Sequence, residues 1–566
     1  MATLTSRSSV AVLATLTGTA FLAGCQRFGQ QVGDLIPGGA PAPEEQIAEL
    51  ALLPADVPMF LSITSNPEQY VERAPELFQA DLREALDETY AEMIEMTGIN
   101  FEEDVAAWMG EQLTFAIFSL DVDPDPDLET PGFIVATTTS DPALSSAFVQ
   151  GAWSEMEADG VVFESSTTDG VTLTVQTDAP TGEGLITAEI DDQFVLFAND
   201  MAAVEQALAV YQAGNGISTL DTFQTTLDLA NQGDPLLWAY INPSFYADEE
   251  FLATLEELEG MPSPVLPPES LATLEAMRSI VVSIGWEDQD VRMQMMIDVD
   301  PEQLPLDDVQ LAAGELIKEL PSTALMVITS SGIGSSWEQS LASAQEMDPE
   351  FEEILNDIRA EVLAETGLDL DKDILGWMDG EMGVVVLPDA EATNPFASNM
   401  GALIAIETSD RQTAENTFAV LDELATEYGI RVSESGDQTI WGDPFLGQPM
   451  VVRAWQDDTV LLTSSPALQA AFGVDPSLVE AGPLQAVYEG LPGNNAGYFM
   501  INLAGVIATA EELVPPAMLA TADIDEETLA MLRSLGGLGI SAYEADDTHI
   551  GLDILLTTQA PAAPAE

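Results

Sequence analysis

An internal repeat is the feature of this sequence that most constrains its fold. Leu53-Pro54 opens an apolar run in the first half of the chain, as Leu320-Pro321 does in the second. Further matches follow in the same order, roughly 260 positions apart: Thr97-Gly98 with Thr366-Gly367, Trp108-Met109-Gly110 with Trp377-Met378-Asp379, Thr139-Ser140-Asp141 with Thr408-Ser409-Asp410, Asp191-Asp192 with Asp457-Asp458, and Ile241-Asn242 with Ile501-Asn502. The order predicts a duplicated domain.

Each copy mixes strand and helix patterns. Met59 to Thr64 alternates as a strand does, and Pro75 to Met96 has the period of an amphipathic helix. Strands joined by short turns favour antiparallel pairing, which predicts an α+β fold of two tandem lobes, each a mainly antiparallel sheet with helices on one face. The expected segments are a signal peptide 1–24, a tether 25–48, repeats 49–300 and 320–557, a linker 301–319 and an Ala/Pro-rich tail 558–566.

The amino terminus has the pattern of an export signal. An apolar run from Val10 to Gly24 is too short to cross a bilayer as a mature helix. It ends in Leu22-Ala23-Gly24-Cys25, which resembles the lipobox of bacterial lipoprotein precursors. The resemblance implies cleavage after Gly24 and diacylglycerol on the Cys25 thiol. The Gln-, Gly- and Pro-rich composition of residues 26–45 predicts a flexible tether of about 25 Å. The alternative is an ordinary secretory signal that ends in a cysteine by chance.

The charge balance limits the possible partners. The chain has 98 Asp plus Glu but only 13 Lys plus Arg. Nucleic acid is excluded as a partner, since phosphate binding needs basic side chains, and anionic head groups are repelled for the same reason. Cations, a basic partner or an envelope protein fit this charge. Halophilic adaptation of the surface and a functional cation-binding surface both explain it.

A family resemblance rests on the start of the first copy. Leu53-Pro54-Ala55-Asp56 precedes a predicted strand that ends near Asn66-Pro67, in an acidic chain with an export signal and an α+β pattern. In this the chain resembles the bacterial domain of unknown function family 3352, over most of residues 50–560. The family has no assigned activity, so the resemblance implies no catalytic residues.

Candidate metal ligands are few. The acid-rich run Asp121, Asp123, Asp125 and Asp127 has the alternation of a calcium loop, but Pro126 and Gly132 stand where an EF-hand needs glycine and a bidentate acid. The run predicts a solvated loop, with calcium as the weaker reading. No other cofactor is predicted. The only histidine, His549, has no second ligand in view and is expected at a surface turn.

Two further acid runs sit before the tryptophans that both copies share. Asn100 to Asp104 and Asp369 to Asp373 each follow a predicted helix and precede another. Acids there satisfy free N–H groups at a helix start, so capping is the predicted role. A glycosidase-type pair of carboxylates remains an alternative, because catalytic spacing is not visible in sequence.

Three functions follow from these observations. The first is an exported, lipid-anchored envelope protein at the extracytoplasmic side of a membrane, acting as a non-enzymatic binding or structural module. The second is a ligand- or cation-binding carrier lipoprotein with a site between the lobes. The third is a carboxylate-based hydrolase. The sequence has no Gly-x-Ser-x-Gly or Walker motif, which favours the first two.

Overall fold

The structure is a computed structural model of the whole chain, and it describes twelve ranges: 47–97, 99–119, 132–179, 184–230, 234–246, 268–287, 289–304, 314–331, 349–389, 399–445, 448–513 and 531–558. Helices accompany a large antiparallel sheet. The predicted α+β class is therefore confirmed. The chain divides into a first unit, 1–304 with 545–551, and a second unit, 305–544 with 552–566.

The first unit contains ten strands and seven helices among the described residues. The strands are β1 Met59–Thr64, β2 Met109–Ser119, β3 Gly132–Thr139, β4 Phe163–Thr168, β5 Val171–Gln176, β6 Ile186–Ile190, β7 Phe194–Ala198, β8 Asp234–Ile241, β9 Met277–Glu287 and β10 Asp290–Val299. The helices are α1 Pro67–Arg73, α2 Glu76–Thr97, α3 Pro142–Ala158, α4 Met201–Ala213, α5 Asp221–Ala230, α6 Pro243–Tyr246 and α7 Pro268–Ala276.

The second unit also contains ten strands, with five helices among its described residues. Its strands are β11 Met326–Ser331, β12 Glu381–Pro388, β13 Met400–Glu407, β14 Arg431–Ser435, β15 Gln438–Gly442, β16 Pro449–Gln456, β17 Thr459–Thr463, β18 Asn495–Ile501, β19 Leu535–Asp546 and β20 His549–Thr558. The end of β19 and the start of β20 belong to the segment 545–551 of the first unit. The described helices of the second unit are α8 Pro349–Thr366, α9 Arg411–Glu427, α10 Pro466–Gln469, α11 Pro483–Gly490 and α12 Leu503–Leu513.

Strand pairing follows one order in both units. In the first unit the order is β10-β9-β8-β1-β2-β3-β7-β6-β5-β4, with antiparallel neighbours throughout. In the second unit it is β20-β19-β18-β11-β12-β13-β17-β16-β15-β14. Adding ten to each strand number converts the first order into the second, so the strands of the two units have the same connectivity.

Local sequence explains where the helices start. Asp141 accepts hydrogen bonds from the N–H groups of Ala143 and Leu144, and Pro142 occupies the first helical position of α3. Asp410 caps α9 in the same way through the N–H of Thr413. Pro142 costs α3 no hydrogen bond, because the N–H of a first helical residue has no partner inside the helix. Each helix then leads into a meander of three strands, β4 to β6 or β14 to β16.

Each unit has an aromatic core beside this helix. In the first unit Trp108 packs on Phe148 of α3 with ring centroids 5.5 Å apart. In the second unit Trp377 packs on Phe418 of α9 at 5.7 Å. Both tryptophans are 2% exposed, so each supplies a large apolar area to its core.

A short 3₁₀ turn precedes the first strand of each unit. Ala48–Leu52 lies before β1 and Leu316–Glu319 lies before β11. Both contribute fully buried leucines, Leu52 in one and Leu316 in the other. Residues 316–319 of the predicted linker are thus part of the packed second unit.

Candidate functional site

Most residues predicted to carry function lie outside the described ranges. These are Cys25 with the lipobox residues Leu22, Ala23 and Gly24, and the calcium-loop candidates Asp121, Asp123, Asp125 and Asp127. The lipid anchor and the calcium loop therefore stay predictions. Among the described residues, no group of three or more His, Cys, Asp or Glu side chains is placed to hold a metal ion.

His549 is not at the surface, and that expectation was wrong. The residue is only 4% exposed and lies in the segment 545–551 of the first unit. Its Nδ1 lies 2.8 Å from Oδ1 of Asp546, and its Nε2 lies 3.1 Å from Oγ1 of Thr226 on α5. The turn between β19 and β20 carries this histidine into a packed environment, which a sequence pattern of alternating residues did not reveal.

A carboxylate, an imidazole and a hydroxyl are in contact in the order Asp546, His549, Thr226, as in a catalytic triad. The resemblance ends there. Burial raises the pKa of Asp546, but hydrogen bonds from His549 and Thr548 outweigh it and leave that pKa below its usual range. Thr226 is fully buried and its hydroxyl donates to the carbonyl of Thr222 at 2.9 Å. A hydroxyl without access to solvent cannot attack a substrate, so the set stabilises the packing of the segment 545–551.

The acid runs before the shared tryptophans act as caps, as predicted. Oδ1 of Asp369 accepts from the N–H groups of Asp371 and Lys372, and Asp373 accepts from the N–H of Asp369 at 2.8 Å. In the first unit Oδ1 of Asn100 accepts from the N–H of Glu102. These reciprocal bonds satisfy the free donors at the start of each π-helical turn.

An acidic cleft in the second unit is the site that sequence reasoning missed. It has a volume of about 560 Å³ and lies at one end of β12, β13 and β17. Six acids line it, together with Thr408, Ser409, Gln456 and Phe472. The acids are Glu315, Glu319, Asp379, Glu407, Asp457 and Asp458.

Secondary structure explains why these acids meet. Glu315 immediately precedes the 3₁₀ turn Leu316–Glu319 and Glu319 is its last residue, while Asp379 lies just before β12. Asp457 and Asp458 form the turn between β16 and β17, where Asp457 adopts φ of 51°. In an antiparallel sheet the start of one strand lies beside the end of its neighbour. Acids that are distant in sequence therefore meet where the strands β12, β13 and β17 begin or end.

Negative charges repel one another at the centre of the cleft. Burial, followed by the charges of Glu381 and Glu315, raises the pKa of Glu407 above its ordinary value. One Glu407 oxygen accepts from the N–H of Glu381 at 3.3 Å. Glu381 is 7% exposed, and its carboxylate accepts from the N–H of Leu316 at 2.8 Å. The cleft thus holds negative charge that backbone donors only partly compensate.

Few basic groups neutralise this cleft. Lys318 pairs with Glu315 at 2.7 Å, with both side chains largely exposed. Arg411 donates to the carbonyl of Asp457 and lies 4.6 Å over the ring of Trp455. Asp379 instead bonds Ser409, whose N–H and hydroxyl lower its pKa against the effect of burial. The acids lining the cleft outnumber these two cations.

A single buried acid fills the corresponding corner of the first unit. Glu49 occupies the position of Leu316, four residues before the repeated Leu-Pro pair. It is 1% exposed, and its Oε1 accepts from the N–H of Thr138 at 2.7 Å. Burial raises the pKa of Glu49 to about 7. One buried carboxyl group therefore fills the position that Leu316 takes in the second unit, where the adjoining cleft is open and lined by several acids.

The repeat alignment held the signal for this difference. The positions of Gln112 and Thr138 in the first copy correspond to Glu381 and Glu407 in the second. Two neutral residues are thus exchanged for two acids at the end of neighbouring strands. In a chain with 98 acids such an exchange stands out only once the strands are known to be adjacent.

A family model for a protein of unknown function, DUF3352, matches residues 9–558. This chain belongs to the DUF3352 family. The resemblance inferred from the first copy is thereby confirmed over nearly the whole length. No curated protein matches this DUF3352 member in sequence.

Two solved crystal forms of TP0453 are distantly similar to this DUF3352 chain. Crystal form IV of TP0453 is 10% identical with a TM-score of 0.25, covering 44% of this chain and 79% of that one. Crystal form I of TP0453 is 11% identical with a TM-score of 0.24, covering 44% and 78%. In the part of the chain that the structure describes, no helix is both long and apolar enough to cross a membrane.

Proposed function

We propose that this protein is an exported, lipid-anchored envelope protein of two duplicated lobes, whose second lobe binds a basic ligand in the acidic cleft. The role is non-enzymatic. The observation that carries the proposal is the cleft itself, a cavity of about 560 Å³ lined by six acids that include Glu407. The identical strand order of the two units supports the duplication, and Leu22-Ala23-Gly24-Cys25 supports the anchor.

The size of the cleft favours an organic cation over a bare ion. Pockets of about 300–1,000 Å³ suit molecules of many atoms. A linear polyamine or a lysine-rich segment places several positive charges along such a surface, and Phe472 offers an apolar wall for the methylene groups. Bound cations would also relieve the repulsion by Glu381 and Glu315 that adds to burial in raising the pKa of Glu407.

Calorimetry with spermidine and with trilysine tests this proposal. We expect binding at low ionic strength that weakens steeply with salt, because opposite charges attract over a Debye length of about 10 Å at 0.1 M. Glu407→Gln and Asp458→Asn should each weaken binding. The matched control is Asp192→Asn, which changes the corresponding turn of the first unit. No heat with either probe, or equal loss in the control, overturns the proposal.

The anchor is tested separately through Cys25. Two acyl chains hold a protein stably on a membrane, and an acidic chain receives no help from anionic lipids. We expect Cys25→Ser to abolish incorporation of labelled palmitate and to release the protein from membranes. Membrane retention of this variant at wild-type levels contradicts lipid anchoring while leaving the cleft experiment unaffected.

A further inference from the structure

A second cavity lies within the first unit and shares no lining residue with the acidic cleft. Its volume is about 310 Å³, near the lower limit of the pockets that bind small organic molecules. Its lining includes one carboxylate, two phenyl rings, a proline and two amide residues. We call it the first-unit pocket, lined by Asp56, Pro58, Phe118, Gln206, Asn242 and Phe245.

Strand pairing brings the residues of the first-unit pocket together. The ends of β2 and β8 both lie beside the start of β1. Phe118, Pro58 and Asn242 therefore follow one another across one end of the sheet, and the N–H of Asn242 donates to the carbonyl of Pro58 at 2.9 Å. Asp56 lies in the turn before β1, and Phe245 lies on α6 after β8. The carboxylate and the two phenyl rings thus come from three chain segments that meet at this sheet end.

The charge of Asp56 has no neutralising partner in the described part of the chain. Asp56 is exposed, and none of the ion pairs between described residues involves it. Burial, followed by the charges of Asp56 and Asp298, raises the pKa of Tyr240 to about 12. The charge of Asp56 therefore reaches the neighbouring strand β8. A pocket with one uncompensated carboxylate attracts a cation with a single charge.

The other groups of the pocket decide what kind of cation fits. A primary ammonium group has three N–H donors, each of which needs an acceptor. Oδ1 of Asn242 already accepts from the N–H of Ser244 at 3.2 Å and from its hydroxyl at 2.7 Å. A quaternary ammonium group donates no hydrogen bond, and aromatic rings attract its positive charge. Phe118 and Phe245 supply two such rings beside the carboxylate.

The corresponding corner of the second unit keeps the backbone geometry but not the charge. The N–H of Asn502 donates to the carbonyl of Leu325 at 2.8 Å, which matches the bond that Asn242 makes in the first unit. The turns before β1 and β11 also match, since the fourth residue of each donates to the carbonyl of its proline, at 3.2 and 3.1 Å. In the second turn Thr323 takes the place of Asp56.

The aromatic residues are also absent from that corner. Leu387 stands in the place of Phe118 and is 1% exposed. Gly505 stands in the place of Phe245, and a Cβ added there would lie 2.5 Å from Nδ2 of Asn502. The second unit has no room for a side chain at this position. The fold therefore forms without the carboxylate or the rings, so folding alone does not explain their presence in the first unit.

We propose that the first-unit pocket binds a quaternary ammonium group. The Asp56 carboxylate supplies the opposite charge, and Phe118 and Phe245 supply the aromatic walls. A volume of about 310 Å³ suits a compact ion with a short substituent, such as choline. This site goes beyond the proposed function and does not depend on it, because no residue of the acidic cleft takes part.

Calorimetry of the full chain with choline tests the site. We expect saturable binding with a Kd below about 10 mM, since a ligand of few atoms binds weakly. The neutral carbon isostere of choline, 3,3-dimethylbutan-1-ol, should bind at least about tenfold more weakly, because it has the same shape without the charge. Tetramethylammonium chloride should displace choline, whereas sodium chloride at the same concentration should not.

Substitutions locate the binding. Asp56→Asn should weaken choline binding at least about tenfold and leave the weak binding of the isostere unchanged. Phe245→Leu keeps an apolar side chain without the aromatic ring and should weaken choline binding about fivefold, while Phe245→Tyr should retain it. The matched control is Asp192→Asn, which removes one charge from another turn of the first unit and should change nothing. Circular dichroism should show all variants folded.

Several results would overturn the proposal. One is the absence of choline binding both in calorimetry and in saturation-transfer NMR of its methyl protons. Others are equal affinity for choline and its neutral isostere, wild-type affinity in Phe245→Leu, or an equal loss in Asp192→Asn and Asp56→Asn. Failure of spermidine to bind would instead remove the proposed role of the acidic cleft and leave the choline measurement valid.

Discussion

The two units build the same corner from different residues. In the first unit Glu49 comes from the 3₁₀ turn and bonds the strand at Thr138. In the second unit Leu316 takes its place, while Glu381 and Glu407 come from the strands. Both corners place carboxylate oxygens on backbone N–H groups. The difference shows that one fold can hide a single acid or gather several at an open cleft.

Introducing an acid at Leu316 should have the largest effect on this comparison. Leu316→Glu copies the first unit into a corner that already holds Glu381 and Glu407. Leu316 is 1% exposed, so the new charge would be buried without a partner. We expect destabilisation by about 3–5 kcal/mol, measured by urea unfolding at pH 8. A loss below about 1 kcal/mol would show that the corner tolerates charge.

The pH dependence of the first unit should reveal Glu49. Its pKa rises from the ordinary value of 4.5 to about 7 on folding. Folding therefore favours the protonated form, and stability falls as pH rises from about 4.5 to about 7, by about 3 kcal/mol at most. Glu49→Gln should remove this slope from urea midpoints measured across that pH range. The control Glu111→Gln changes a nearby acid whose side chain is exposed and should keep the slope.

Exchanging the residues of the strands should alter the ionisation of Glu407. Glu381→Gln removes the nearest like charge, so the pKa of Glu407 should fall toward its ordinary range. Carbon-13 titration of the Glu407 carboxyl group measures this. Gln112→Glu, the corresponding exchange in the first unit, should leave Glu407 unchanged. An unaltered titration in the Glu381 variant would show that burial and the charge of Glu315 account for the shift.

Removal of the caps should give the smallest effect, of similar size in both units. Asp369→Ala and Asn100→Ala each remove a side chain acceptor at the start of a π-helical turn. Loss of such a cap costs about 1 kcal/mol. Thermal unfolding checks both. A loss confined to one unit would mean that the other turn is held by its packing on the tryptophan.

Local sequence predicted the elements better than their partners. Met59 to Thr64 is the strand β1 with the predicted bounds, and Pro75 to Met96 corresponds to α2 within one residue at each end. The strand Ile186–Ile190 and the helix Asp221–Ala230 were missed. Ile186–Ile190 alternates apolar and polar residues, but the pattern is only five residues long, and so short a segment was not recognised as a strand.

The candidate site was predicted less well than the fold. The acid runs were correctly interpreted as caps, because capping depends on residues two to four positions apart. His549 was placed at the surface, since nothing near it in sequence reports contact with Thr226, 323 positions away. The acidic cleft was not predicted for the same reason, because Glu315, Glu407 and Asp458 are distant in sequence and meet only through strand pairing.

By itself the sequence determined the α+β class, the family and the places where helices begin, because these depend on local periodicity and on short-range hydrogen bonds. The tertiary structure alone decided that His549 and Glu49 are buried and that six acids line one cleft. Burial and electrostatic interaction depend on distance in space. Two segments that are far apart in sequence come close in space only when their strands pair.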